Sequence, residues 1–549
     1  MDRNTEYQNA GVATLSYERS THQDIYQHKT TFNVGQLVPF FVDTLAQPGD
    51  TYSMSTSIVL RLTTPYFPTM DNLYADIYYF YVPYTILWTH AKEFWGENKL
   101  GAWTQTIEYK IPEIKTTNVA VTTHSILDHF GWRKGVKGIH GSRLALSAYF
   151  EAWNQFFRDQ TVSAPIQYDM GDTDIEYDGT TEKGGTMLNV YKFHDYFTSL
   201  LPEPQKGTQQ TIPLGATAPV SVFGNRNPIE FSTYDSGTFA KHVTMTNGAI
   251  NSEIDGAGWL IGNTNGTNAD MREIALSHDT TYGNSGIIGI ADLANATAAA
   301  INALRLKIAV QHILERDAIY GTRLQEIYRA HWGVTAPADL MQIPEYLGGK
   351  RIPINMETVL QTSSTDATSP QGNTGAFSVT ADSDFSFTKS IYAHGVILGL
   401  ICVRQDHTYA QRMDAKWNKL RKFDFYWNEF KNLGYQPVLK KEIFADGTST
   451  DETVLAYKQP WQEYRVWTND VTGELNPDYQ YSLDAWTYVD DFDNAPTYSK
   501  EFLEETPANV DRTIVVPSSE QDQFICDIAC NITKVSEVPQ YGIPGLMNF

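Results

Sequence analysis

The chain has 549 residues and a formal charge of −23, from 64 acidic against 41 basic residues, so as a whole it repels nucleic acid and anionic membrane, and any contact with phosphate has to be local. An apolar fraction of 42% with 13% aromatics supplies a packed core, and 32 tyrosines with 12 tryptophans favour half-buried β surface over a helical bundle. Three cysteines, Cys402, Cys526 and Cys530, are too few for a disulfide framework and lack the paired His or Cys of a zinc site, which leaves them as small apolar fillers.

Residues 1–28 are polar and without periodicity, and are expected to form an extended arm; they hold no apolar core of signal-peptide length, so the protein is expected to stay in the compartment where it is made. No uncharged apolar run approaches the length of a membrane span. TTFNVGQLVPFFVD (30–43), TYSMSTSIVLRLTT (51–64) and LYADIYYFYVPY (73–84) are rich in β-branched and aromatic residues, with a turn at 47–50, and predict antiparallel strands of a sandwich or barrel. In 142–160, Leu146, Tyr149, Phe150, Trp153, Phe156 and Phe157 recur at helical steps, which places Glu151, Asn154 and Arg158 on the opposite face. The Gly, Asn and Thr-rich stretch 221–292 is too long for an ordinary loop and predicts a surface projection.

A long helix is expected from about Ala294, with Ala299, Ala303, Leu306, Val310 and Ile313 on one face and Ile301, Leu304 and Ile308 on a second. A break at Gly321, a capping box from Thr322 to Gln325 and a stop at Gly333 predict a second helix after it. Strands return in 377–406, and 523–535 fits either a last strand or a helix. Strand signals at both ends suggest one β domain over 29–549 closed by its termini, and no internal repeat is present.

Twelve blocks in one order, among them KTTFNVGQLVPFFVDTLAQPGDTY, RLTTPYFPTMDN, SAYFEAWNQFFRDQ, LERDAIYGTRLQEIYRAHWGV, AHGVILGLICVRQDHTYAQ and WQEYRVWTNDVTGE, resemble the major capsid protein of the gokushovirus branch of microviruses. The resemblance implies a mainly β protein, an eight-stranded antiparallel jelly-roll β-barrel with long helical and loop insertions. It also implies sixty copies assembling into a T=1 icosahedral shell around a circular single-stranded DNA genome, with 221–292 forming a protrusion at the three-fold axes. A β-rich carbohydrate-binding protein or glycosidase is the alternative that many Trp and Tyr on an acidic chain suggest. HExxH, P-loop, nucleophile-elbow and paired CxxC motifs are all missing, so no enzyme is expected.

Four constellations remain. Glu315, Arg316, Asp317 and Arg323 are candidates for subunit contacts, because the two carboxylates diverge on a helix and Arg–carboxylate pairs fix register between proteins. Two basic segments are DNA-facing candidates: Arg133, Lys134, Lys137 and Arg143 ahead of a helix start, and Lys416, Trp417, Lys419, Arg421 and Lys422, where charge and stacking surfaces interleave. Trp259, Leu260 and Ile261 sit between glycines in the projection and are candidates for a host receptor or for three-fold contact. Asp172, Asp174, Glu176 and Asp178 alternate as calcium ligands do, although Gly185 stands where a loop of that kind needs its bidentate Glu. No other cofactor is expected. A shell this acidic cannot neutralise a polyanion on net, which calls for a separate small basic DNA-binding protein inside.

Overall fold

The computed structural model describes residues 18–97, 108–207, 220–224, 230–235, 238–244, 274–276, 287–291, 301–320, 324–335, 337, 342–363, 371–372, 374–431 and 433–541. Eight strands carry the main unit: β1 (Ser20–Phe32), β2 (Val38–Ala46), β3 (Thr51–Leu62), β4 (Leu73–Pro83), β5 (Glu345–Pro353), β6 (Thr380–Ser390), β7 (Gly395–Gln405) and β8 (Phe524–Ser536). Alternation builds them. In β3 the side chains of Tyr52, Met54, Thr56, Ile58, Leu60 and Leu62 are buried while Ser53, Val59 and Arg61 between them are exposed, the period of two of a half-buried strand. The turn into β3 is set by Gly49 at φ +92°, with the Asp50 amide donating to the Gln47 carbonyl at 3.1 Å.

The eight strands form two four-stranded antiparallel sheets, ordered β1-β8-β3-β6 and β5-β4-β7-β2. β1 pairs with β8 along its whole length, from Ser20 with Ser536 to Phe32 with Phe524, so residues 20–28 of the expected arm belong to a sheet. The C-terminal segment that fitted either strand or helix is a strand, held between β1 and β3. Among the described residues the two ladders end at β1, β6, β5 and β2, so hydrogen bonding does not run continuously round a closed barrel.

Between the sheets lies an aromatic core. The Tyr79 ring is 4.9 Å from Phe387 and 5.5 Å from Phe40, and its hydroxyl lies 2.7 Å from that of Thr56 on the facing sheet. Each such buried side chain contributes about 1.5–3 kcal/mol. Gly399 in β7 is required by close approach, since a Cβ there would lie 2.8 Å from the Phe40 ring. β7 is buried on both faces because the second sheet is covered outside by helix α1 (Leu144–Ala152), whose Tyr149 hydroxyl donates to the Leu37 carbonyl at 2.7 Å.

The periodic helix of 142–160 does not continue as expected. After Ala152 a π turn, Trp153–Phe157, adds a residue to the winding and rotates the side chains beyond it. Asn154, expected outside, is only 7% exposed and exchanges two hydrogen bonds of 2.9 Å with the Ile166 backbone; Phe156, expected inside, is 43% exposed. Helices α2 (Ile301–Tyr320) and α3 (Leu324–Trp332) match the expected two-helix pattern; 294–300 and 321–323 fall outside the described residues. Gly333, at φ +70° with its amide on the Arg329 carbonyl, ends α3.

Residues 207–314 form a separate compact unit, within which the projection of 221–292 falls. Its described strands are Val220–Gly224 paired with Ile287–Ala291, and Glu230–Asp235 flanked by Thr238–Thr244 and Ile274–Leu276.

Candidate interaction site

The basic and aromatic segment 412–430 forms no regular element. Three single 3-10 turns, Ala415–Asn418, Lys422–Asp424 and Asn428–Phe430, shape it. Asp414 accepts from the Lys416 amide at 3.1 Å, and Asp424 accepts from the Leu420 and Arg421 amides at 3.0 and 2.7 Å. Turning the chain this way throws apolar side chains outward: Trp417 is 65% and Leu420 85% exposed, with Phe423 and Trp427 exposed beside them. Lys422 Nζ sits 4.9 Å from the Trp427 ring centre, and Lys416 Nζ 5.5 Å from that of Trp417. Lys416, Trp417, Arg421 and Lys422 thus present charge and stacking faces together. Lys419 does not join them, because it turns inward to an ion pair with Glu463 over the rings of Trp461 and Tyr464.

In the other basic segment Arg133, Lys134 and Lys137 are exposed on a loop turned by Gly131, Gly135 and Gly138 in left-handed conformations. Arg143 does not face outward with them. It is buried, and its guanidinium donates to the carbonyls of Gly171 and Thr173 and approaches the Asp169 carboxylate at 3.4 Å, so its charge closes the 169–173 turn instead of facing outward. The acidic run also disperses. Asp172 accepts from Trp88 Nε1 at 2.7 Å, Asp174 pairs with Lys115 at 2.6 Å, Glu176 accepts from the Asn118 amide, and Asp178 is held down to about 2 by Lys183 and Thr180. Each carboxylate has its own protein partner, so the four do not fit one cation, and among the described residues no three metal-ligating groups converge.

The charged helical stretch divides as well. Asp317 on α2 meets His331 on α3 at 2.8 Å, and Glu326 accepts two bonds from Gln160 at 2.8 and 3.1 Å, so these groups hold helices in place. Arg316 is exposed, as are the apolar Leu306, Ile308, Ile313 and Ile319 of α2. Arg323, Trp259, Leu260 and Ile261 lie outside the described residues.

One buried electrostatic cluster was illegible in sequence. His407 lies 2.7 Å from Asp490 and 3.1 Å from Glu505, Asn509 donates to Asp490 at 2.8 Å, and Lys192 stands 3.9 Å away. Burial alone would push the imidazole down, but the two carboxylates outweigh it and raise it to about 9. A carboxylate–His–carboxylate set could serve acid–base chemistry in a cleft; here His407, Asp490 and Glu505 are buried, no substrate reaches them, and the set is a structural tie. Its members come from segments up to about 300 residues apart, with no local spacing to betray them.

A profile of the family described as "Capsid protein (F protein)" matches residues 10–546. The chain is similar to capsid protein VP1 of Bdellovibrio phage phiMH2K, 33% identical over 545 residues that cover 99% of this chain and 98% of the relative. It is similar also to capsid protein VP1 of Chlamydia phage 1, 32% identical with 97% of each chain covered, and to that of Spiroplasma virus 4, 33% identical with 94% of each covered.

Proposed function

The chain belongs to the phage capsid (F protein) family of microviruses, and from that membership we propose that it is the major capsid protein whose sixty copies close into a T=1 shell around a circular single-stranded DNA genome. It is a structural component of a virion and not an enzyme. The end-to-end match to capsid proteins carries this reading, and the apolar side chains left exposed on a single copy support it. Trp417, Leu420, Phe423 and the exposed apolar residues of α2 are the kind of surface that symmetric assembly covers.

Our reading of the fold is an eight-stranded jelly roll. Its support is the strand order: β1 lies beside β8, β3 beside β6, β2 beside β7 and β4 beside β5, the pairing of one long hairpin rolled into two sheets. The insertion 221–292 is read as a three-fold protrusion used in host attachment, with Trp259, Leu260 and Ile261 at the contact. DNA is met locally by Arg133, Lys134 and Lys137 and by Lys416, Trp417, Arg421 and Lys422. Sixty copies at −23 carry roughly 1,400 negative charges, so a small basic protein accompanies the genome.

Sedimentation of the expressed chain tests assembly. Closed particles are expected, and Arg323→Glu is expected to give folded subunits that fail to form them. A wild-type chain that stays monomeric under all assembly conditions, or an Arg323→Glu chain that assembles normally, contradicts the respective step.

A further inference from the structure

A cavity of about 620 Å³ opens at the edge strand β1. One side is the outer surface of β3 and β8, with Val59, Arg61, Ile525 and Asp527; the other is the 123–134 segment, with His124, Asp128, His129 and Lys134. Lys29 at the rim pairs with Asp527 at 2.8 Å, and Lys134 lies 3.6 Å from Asp128. The Arg61 side chain is exposed and has no hydrogen-bond or ion-pair partner among the described residues. Three cations against two carboxylates leave one net positive charge at the lining, on a chain whose total is −23.

Two further observations mark the place as built to receive something. His124 holds a left-handed backbone at φ +61°, unusual for a residue with a Cβ; its amide donates to the Asp128 carboxylate at 3.0 Å, and its ring lies 3.2 Å from Asp522. His28 has its Nδ1 3.3 Å from the Tyr26 hydroxyl, while its Nε2 is buried without a partner among the described residues. Burial pushes His28 and His129 down, His129 to about 4, so near neutral pH both rings are uncharged and line the cavity while Arg61 and Lys134 provide the charge.

Resting on the reading that DNA is met locally at Lys134, we propose that this cavity binds a nucleotide-sized phosphate ester, with the phosphate at Arg61 and Lys134 and the base and sugar against His28, His129, Val59 and Ile525. A free nucleotide and one unit of a single strand share that chemistry. The apolar floor favours a ligand with a planar body over a bare anion or an acidic peptide.

Calorimetric titration of the purified full-length chain with inorganic phosphate, dTMP, oligothymidylate and polyglutamate tests it. dTMP is expected to bind more tightly than phosphate, and Arg61→Gln to weaken it roughly tenfold or more with an unchanged melting temperature, since the Arg61 side chain has no partner among the described residues. Lys134→Gln is expected to act in the same direction. Oligothymidylate binding tighter per site than dTMP, with a steep salt dependence, identifies a strand as the source; equal binding identifies the free nucleotide. Absence of binding by dTMP and oligothymidylate, undiminished binding by Arg61→Gln, or polyglutamate binding as tightly as dTMP overturns the proposal.

Discussion

Asp76 shows how the fold handles charge residue by residue. It is buried in β4, and the Arg351 guanidinium of β5 donates to it at 2.8 Å while that of Arg404 on β7 reaches its other oxygen; the Phe193 ring lies 4.0 and 4.2 Å from the two guanidinium carbons. Asp76→Asn leaves two cations facing a neutral amide and is expected to cost about 3–5 kcal/mol, measured by denaturant unfolding of the subunit. His407 makes a pH prediction. Its folded value lies above the unfolded 6.5, so the stability it contributes is full below about pH 6.5 and is lost as pH rises through about 9. Asp490, pushed down by His407 and Lys192 despite its burial, works oppositely and loses its contribution only in acid. Thermal unfolding of the dissociated subunit is expected to show a fall of a few kcal/mol across that alkaline window, and to lose this fall in His407→Gln, which is less stable than the wild type below about pH 9.

At the scale of elements, closure by the two termini is the feature on which the first sheet depends. β8 separates β1 from β3, so a chain ending at Gln523 leaves two long strands without their partner. Such a chain is expected to be insoluble or aggregated when expressed, and a soluble, folded product would contradict the pairing. The strands were legible in the sequence because one buried face imposes a period of two, as in β3, and the α2–α3 pair because its breaks carry glycine. The features that escaped had physical reasons. The π turn at Trp153–Phe157 keeps apolar composition while changing the winding, so Asn154 and Phe156 exchange sides without a sequence mark. Arg143 ends a basic run and looks like surface, but carbonyls of the 169–173 turn, distant in sequence, take its donors. The basic and aromatic segment was recognisable by content, yet its irregular turns decide that Lys422 faces out and Lys419 in.

For the whole molecule, net charge and exposed apolar surface pull in opposite directions. A copy at −23 repels its neighbours at long range, whereas Trp417, Leu420 and the exposed apolar residues of α2 are unfavourably solvated until covered. Assembly on this account is driven by apolar contact, assisted by salt that screens the repulsion. The most direct test is an electron-microscopy reconstruction of particles purified from cells that make the chain. A closed icosahedral shell of sixty copies is expected, each a two-sheet subunit with 221–292 projecting at the three-fold axes and small basic protein beside the DNA within. Open sheets, filaments, or a closed shell with a different number of copies would contradict it.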